Sequence, residues 1–121
     1  MLWTIDFRDK RPIYEQIVSG IEDEILRGTM PPDEPLQSVR SLAMELSVNP
    51  NTIQKAYRQL ETDGYTYSVP GRGSFVSNVD NIRHIKQKET LQKLSAVTHE
   101  AKALGISDTE INDAVKGGLN I

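Results

Sequence analysis

The stretch that decides the fold runs from Val48 to Leu60 and reads VNPNTIQKAYRQL. Asn49 is a favoured helix N-cap and Pro50 suits the first helical position, so a helix is predicted to begin at Pro50 and to stop at Gly64. At helical spacing, its side chains separate into two opposite faces, of which the apolar one is predicted to be buried. The apolar face consists of Ile53, Ala56, Tyr57 and Leu60, and the polar face consists of Asn51, Gln54, Lys55 and Arg58.

The polar face of this helix has the chemistry of a surface that reads DNA bases. Asparagine and glutamine can bond to adenine through two hydrogen bonds in the major groove, and arginine or lysine can bind guanine or a phosphate. No carboxylate occurs in the helix before Glu61 and Asp63, which lie near its C-terminal end. A polar face opposite an apolar one is also what any exposed helix shows. The neighbouring elements therefore have to decide between the two interpretations.

Those neighbouring elements follow the order of a winged helix-turn-helix. Ser38 can cap a short preceding helix, and residues 47–50 form the turn between the two helices. The apolar stripe of the short helix consists of Val39, Leu42, Ala43 and Leu46. After Gly64 the period changes to two, which predicts a hairpin with a basic tip at residues 70–73. Its first strand has Tyr65, Tyr67 and Val69 on one side and Thr66 and Ser68 on the other. In this order of elements the second helix enters the major groove.

The first thirty residues predict a strand and a helix. Trp3, Ile5 and Phe7 alternate with more polar neighbours, which favours a short strand. Pro12 is expected to be the first residue of a helix that ends before Gly28. The predicted core face of that helix consists of Tyr14, Ile17, Val18, Ile21 and Ile25.

The C-terminal third predicts two more helices. One spans residues 81–104 and is closed by Gly105, and the other begins at the capping-box sequence of residues 107–110 and is expected to stop at Gly117-Gly118. Two helices with so few large apolar residues cannot form a core alone, so they must pack on the first domain or on a second copy of the chain. We expect the second copy, because two DNA-reading helices are needed to span successive major grooves. The predicted dimerisation residues are Leu91, Leu94, Val97, Ala101, Leu104 and Ile111. The sequence thus predicts a mainly α protein with a small β-hairpin, divided into a winged helix-turn-helix at 1–77 and a helical dimerisation tail at 78–121.

Length and composition exclude several classes of protein. The chain has 121 residues, no cysteine and a net charge of −3, so a large enzyme, a disulfide framework and a thiolate zinc site are ruled out. The negative excess lies in residues 1–33, whereas the later sections are each neutral. No apolar run reaches the roughly 18 residues of a membrane helix. We therefore expect no membrane partner and a location in the cytosol.

Nothing in the sequence predicts catalysis, a cofactor or a metal site. His84 and His99 are the only histidines, and a metal needs three or four ligands. No serine, histidine and aspartate have the spacing of a catalytic triad. Gly71 and Gly73 suit a backbone turn, and a lone Gly-x-Gly is weak evidence for nucleotide binding.

Five ordered blocks lie between residues 12 and 76. They are PIYEQI at 12–17, LQSVRSLA at 36–43, VNPNTIQKAY at 48–57, LETDG at 60–64 and GRGSFV at 71–76. Together they resemble the GntR family of bacterial transcription regulators, and the short tail resembles its YtrA subfamily. The resemblance implies a DNA-binding dimer, usually a repressor, that acts on an inverted-repeat operator and in this subfamily often controls transporter genes.

The resemblance also implies particular DNA contacts. Arg40 matches the arginine of the family's Ser-x-Arg element, and the wing tip matches at Gly71 and Arg72. Pro50 departs from many relatives, because it cannot donate a hydrogen bond, so readout is expected to shift to Asn49 or Asn51. The full set of expected DNA contacts is Ser38, Arg40, Asn49, Asn51, Thr52, Gln54, Lys55, Arg58, Gly71, Arg72 and Gly73.

Two other functions use the same scaffold. A winged fold can serve as a protein-interaction module, although the polar stripe lacks the aromatic or aliphatic side chains of a typical hot spot. A regulator that senses a small molecule is also open, with no effector identified by the sequence.

Overall fold

The computed structural model describes residues 3–121, which form five helices and one two-stranded sheet. The elements are α1 (Ile13–Arg27), α2 (Val39–Leu46), α3 (Pro50–Thr62), β1 (Thr66–Val69), β2 (Gly73–Val76), α4 (Asp80–Ala103) and α5 (Asp108–Leu119). The chain divides into two compact units, one extending to Asp80 and the other spanning Asn81–Ile121. The predicted fold class, mainly α with a β-hairpin, is confirmed.

The two central helices begin where their caps predict. The Ser38 hydroxyl accepts a hydrogen bond from the Ser41 N–H, and the Asn49 side chain accepts one from the Asn51 N–H. Pro50 is the first residue of α3, as expected. The prediction for α1 is off by one position, because Pro12 has extended backbone and is the N-cap rather than the first helical residue.

The core of the first unit lies where α1 and α2 pack on α3. Its largest fully buried side chains are Ile17, Ile25, Leu42, Ile53, Leu60 and Val76. Burying one such side chain contributes roughly 1.5–3 kcal/mol. The apolar face predicted for α3 is the buried one, since Ile53, Ala56 and Leu60 are fully buried and Tyr57 is nearly so.

The β-hairpin, called the wing below, comprises residues 66–76. Its strands are antiparallel, with Thr66 opposite Val76 and Val69 opposite Gly73. The loop before α2 pairs with β2: the Asp33 N–H donates to the Val76 oxygen at 2.7 Å, and the Leu36 N–H donates to the Ser74 oxygen at 2.9 Å. The wing is therefore attached along β2 to the loop between α1 and α2.

The predicted sides of the first strand are only partly correct. Tyr65 precedes β1 and is buried together with Thr66, whereas Tyr67 is exposed. The Tyr67 ring stacks on Phe75, with centroids 5.7 Å apart. Burial therefore does not follow the predicted alternation, since the neighbours Tyr65 and Thr66 are both buried, although the pairing continues to Tyr65 through a 2.9 Å hydrogen bond from the Ser77 N–H.

Residues 3–7 do not form the predicted strand. No strand of the described residues lies beside them, and the side-chain amide of Gln16 pairs with the backbone of Asp6 instead, at 2.8 Å to its N–H and 2.9 Å to its oxygen. Trp3 donates its indole N–H to Glu24 at 3.0 Å. Leu2, part of the same alternating pattern, lies outside the described residues. Hydrogen bonds with the side chains of Gln16 and Glu24 thus hold this segment against α1.

The second unit contains α5 and all of α4 beyond Asp80. Gly105 takes a left-handed conformation between the helices, and the Ser107 hydroxyl accepts a hydrogen bond from the Glu110 N–H. The predicted stop at Gly117-Gly118 is wrong, because α5 continues to Leu119. A glycine ends a helix when it adopts a left-handed conformation, and these two remain helical. No residue from 81 to 121 is buried.

Candidate nucleic-acid interface

The outward face of α3 carries the polar residues that were predicted from its periodicity. Asn51, Gln54 and Arg58 are exposed, and Thr52 is half-buried. They extend over the first two and a half turns of the helix, opposite its buried side. Two amides and a guanidinium are therefore presented together, without a carboxylate among them.

A single hydrogen bond joins the buried side of α3 to the segment before α2. The Tyr57 hydroxyl donates to the main-chain oxygen of Gln37 at 2.7 Å. Burial raises the pKa of Tyr57 well above its ordinary value, so the hydroxyl stays protonated and keeps donating. The contact holds the two helices of the helix-turn-helix in a defined relation.

Arg40 lies exposed in the first turn of α2. Ser38, two residues earlier, serves as the cap of the helix, so its oxygen already accepts one hydrogen bond. A serine hydroxyl can still donate. Asn49 likewise caps α3 through its side-chain oxygen. Two of the expected contacts therefore have a structural task in addition to any role with DNA.

Lys55 is directed toward α1. Its ammonium nitrogen lies 3.9 Å from the centre of the Tyr14 ring, which is a cation–π arrangement. The sequence offered no signal for this contact, because Tyr14 was expected only to contribute to the core. Among the residues predicted to contact phosphates, Lys55 thus has a partner inside the protein.

The tip of the wing is formed by Pro70, Gly71 and Arg72. Gly71 and Gly73 have left-handed backbone, with φ of 77° and 97°, which glycine adopts without steric cost. The Arg72 N–H closes the turn on the Val69 oxygen at 2.9 Å, and the residue is exposed. The wing therefore presents a cation at its end.

A groove of about 500 Å³ separates α3 from the wing. Gln54 and Arg58 line one wall, and residues 68–71 line the other. Glu61 also lines it, and its carboxylate accepts a hydrogen bond from the Ser68 N–H at 3.1 Å. Sequence reasoning treated Glu61 only as acid at the far end of the helix. Helical periodicity could not have found its contact with the wing.

The tail carries an exposed apolar groove of about 470 Å³ between α4 and α5. Four of the predicted dimerisation residues line it, namely Leu94, Val97, Ala101 and Ile111. The two others, Leu91 and Leu104, lie outside it and are 66% and 73% exposed.

Within residues 3–121, no three acidic or histidine side chains are close enough together to hold a metal ion. No helix in the same range combines the length and the apolar character that crossing a bilayer requires.

A helix-turn-helix with a polar outward helix, followed by a two-stranded wing, defines a winged helix-turn-helix DNA-binding protein. The profile of the bacterial regulatory proteins of the gntR family matches residues 13–76. The chain belongs to the GntR family and is a DNA-binding transcriptional regulator.

Three relatives illustrate the similarity. The HTH-type transcriptional repressor YtrA of Bacillus subtilis (strain 168) is 34% identical over 114 residues, which cover 93% of this chain and 88% of that protein. The crystal structure of a transcriptional regulator from Oenococcus oeni is 32% identical, covers 98% of each chain and gives a TM-score of 0.76. The DNA-binding domain of AraR, solved in complex with operator ORR3, is 29% identical with a TM-score of 0.52, covering 64% of this chain and 95% of that one.

Proposed function

We propose that this protein is a repressor that binds an inverted-repeat operator as a homodimer. The observation that carries the proposal is the outward face of α3, where Asn51, Gln54 and Arg58 are exposed together and the first carboxylate of the helix follows only at Glu61. Asn51, Gln54 and Arg40 are assigned to bases, and Lys55, Arg58 and Arg72 are assigned mostly to phosphates. The chemistry of amides and guanidinium groups in the major groove supports this division.

The remaining expected contacts support the same surface. Thr52 lies in the first turn of α3 beside Asn51, and Ser38 and Asn49 lie at the N-terminal ends of their helices, where main-chain N–H groups favour phosphate. Gly71 and Gly73 let the backbone of the wing tip approach DNA closely. That YtrA is named a repressor, and that the AraR domain was solved with an operator, support repression through DNA binding.

The proposed dimer forms through residues 78–121. Its support is the apolar groove between α4 and α5, together with the exposure of Leu94 and Val97, at 49% and 60%. Apolar surface of this kind is stabilised when a second copy covers it. Two copies would present two α3 helices to successive major grooves about 34 Å apart. By resemblance to the YtrA subfamily, the regulated genes are proposed to encode a transporter.

The readout is tested on a duplex selected from a random pool by the full-length protein. Asn51→Ala and Gln54→Ala should each lose about 1–3 kcal/mol of discrimination at one base pair of each half-site. Arg58→Ala should weaken binding to all sequences and flatten the slope of log affinity against log salt by about 1 per protomer. Arg27→Ala is the matched control, because Arg27 is an exposed arginine at the end of α1. An unchanged slope in Arg58→Ala would contradict the phosphate assignment.

Whether the protein forms a dimer and whether it represses or activates transcription are tested by separate measurements. Light scattering should give a dimer for the wild type and a monomer for Leu94→Glu, whereas Lys86→Glu, on the same helix but outside the apolar groove, should remain dimeric. A monomeric wild type at micromolar concentration would refute the dimer. A reporter gene behind the selected operator should be expressed more strongly when the protein is removed, and weaker expression would identify an activator. Transcripts that rise on deletion of the gene should include a transporter operon.

A further inference from the structure

Glu61 is an acidic side chain in an unexpected place for a protein that binds DNA. It lies in the last turns of α3 and lines the groove between that helix and the wing, as do Gln54 and Arg58. A carboxylate there repels phosphate and therefore weakens DNA binding unless it has another task. Its contact with the wing identifies that task.

The contact joins α3 to the free edge of the wing. Within residues 3–121, β1 pairs with β2 alone, so the other edge of β1 has no strand partner there. Glu61 supplies an acceptor at this edge, with its Oε1 atom 3.1 Å from the Ser68 nitrogen. A charged acceptor makes a stronger hydrogen bond than a neutral one. The bond connects the middle of β1 to the last turn of α3.

The other strand of the wing is held independently. β2 receives and donates main-chain hydrogen bonds with the loop before α2, at Asp33, Glu34 and Leu36. Among the described residues of α3, Glu61 is the one whose side chain forms a hydrogen bond with β1. Arg72 lies four residues beyond Ser68, at the tip of the same hairpin. The hydrogen bond therefore links the C-terminal end of α3 to the hairpin that carries Arg72.

We propose that Glu61 is a positioning residue that holds the wing at the distance from α3 at which both contact one DNA duplex simultaneously. This inference rests on the proposed function, in which α3 and Arg72 bind the same half-site. The unfavourable charge of Glu61 is offset because a prepositioned wing loses less conformational freedom on binding.

The test compares two variants of equal charge. Glu61→Gln retains an oxygen acceptor for the Ser68 N–H, whereas Glu61→Ala removes it, and both remove the negative charge. In the free full-length protein, hydrogen exchange measured by NMR should show a protected Ser68 amide in the wild type and in Glu61→Gln, and faster exchange in Glu61→Ala. On the selected duplex, Glu61→Ala should bind about 3- to 10-fold more weakly than Glu61→Gln, as expected for one hydrogen bond. Equal affinities and equal exchange would overturn the proposal.

A double-mutant cycle separates positioning from general destabilisation. In the Arg72→Ala background the difference between Glu61→Ala and Glu61→Gln should disappear, whereas in the Asn51→Ala background it should persist. A difference of the same size in both backgrounds would indicate a merely structural role and would overturn the proposal. Asp63→Ala is the control, because the Asp63 carboxylate accepts from Gln59 of its own helix rather than from the wing.

The two proposals fail in different ways. If Arg72→Ala weakens binding but the two Glu61 variants bind alike, the Glu61 inference fails and the proposed function stands. If Arg72→Ala leaves binding unchanged, the wing contact of the proposed function is wrong, and the role of Glu61 is wrong with it.

Discussion

Tyr57 of α3 and Gln37, which lies just before α2, are joined by a hydrogen bond of 2.7 Å between a phenolic hydroxyl and a main-chain oxygen. Tyr57 is only 7% exposed, so this bond lies at the edge of the core and links the two helices of the helix-turn-helix. The bond ties the buried side of α3, opposite its polar outward face, to the segment before α2.

Replacing Tyr57 with Phe should therefore lower the free energy of unfolding by about 1 kcal/mol. The ring still fills the core, but the Gln37 oxygen loses its partner and can only be rehydrated in part. Urea unfolding of both proteins measures the difference. Tyr14→Phe is a suitable comparison, since the Tyr14 hydroxyl makes only a long contact of 3.4 Å with Glu15. A loss as large in Tyr14→Phe would contradict the role given to the Tyr57 bond.

Stability should fall at alkaline pH because of Tyr65. Burial, together with the nearby Glu22, Asp63 and Asp23 carboxylates, raises the pKa of Tyr65 to about 12. An unfolded tyrosine titrates near pH 10, so the unfolded state loses its proton first and is favoured as the pH rises. The contribution of the neutral Tyr65 to the free energy of unfolding is complete below about pH 10 and is lost between about pH 10 and 12, by at most about 1.4 kcal/mol per pH unit.

This pH dependence is checked with Tyr65→Phe, which has no proton to lose. Urea unfolding at several pH values from 9 to 12 should show a shallower decline for the variant than for the wild type. Parallel declines would show that Tyr65 does not contribute.

Gly20 should tolerate no side chain. A Cβ atom there would overlap the indole ring of Trp3, so Gly20→Ala should displace Trp3 and break its hydrogen bond to Glu24. We expect the free energy of unfolding to fall by about 1–3 kcal/mol, as for other overpacked sites. Trp3 is the single tryptophan of the chain, so its fluorescence should shift to longer wavelength as it becomes hydrated.

The matched control for Gly20 is Gly117, a helical glycine with open space around its Cβ position. Gly117→Ala should raise the helicity of α5 and stabilise it by about 0.5–1 kcal/mol. Circular dichroism and thermal unfolding distinguish the two. An equal response at both positions would show that contact with Trp3 is not the cause at Gly20.

The wing has a second side-chain anchor in Asp33, which has left-handed backbone with φ of 67°. Its carboxylate accepts from the Tyr67 hydroxyl at 2.7 Å, and this hydrogen bond raises the pKa of Tyr67. Asp33→Asn keeps both an acceptor and tolerance of this backbone, so its stability should be near that of the wild type. Asp33→Ala loses both, and its free energy of unfolding should be lower than that of the wild type by about 1–2 kcal/mol. Equal unfolding free energies for the two variants would argue against the anchor.

Local signals in the sequence were sufficient for the main elements. Ser38, Asn49 and Pro50 act within one helical turn, so caps and periodicity alone located α2 and α3 and the buried face of α3. Predictions from caps and periodicity failed where contacts with another part of the chain decided the structure. Residues 3–7 alternate like a strand, but in the described part of the chain no strand lies beside them, and the side chain of Gln16 pairs with the backbone of Asp6 instead. Gly117 and Gly118 remain helical because the chain does not reverse there.

The placement of α3 relative to the wing is decided by tertiary packing. Glu61 and Ser68, Tyr57 and Gln37, and Lys55 and Tyr14 are pairs whose contacts depend on how the helices and the hairpin are oriented in space. Periodicity describes which face of one helix is apolar, and it carries no information about which residue of another element lies opposite. The side chains suited to reading DNA were therefore evident from residue type and spacing, whereas the contacts that hold them at a defined distance from the wing follow from the folded arrangement.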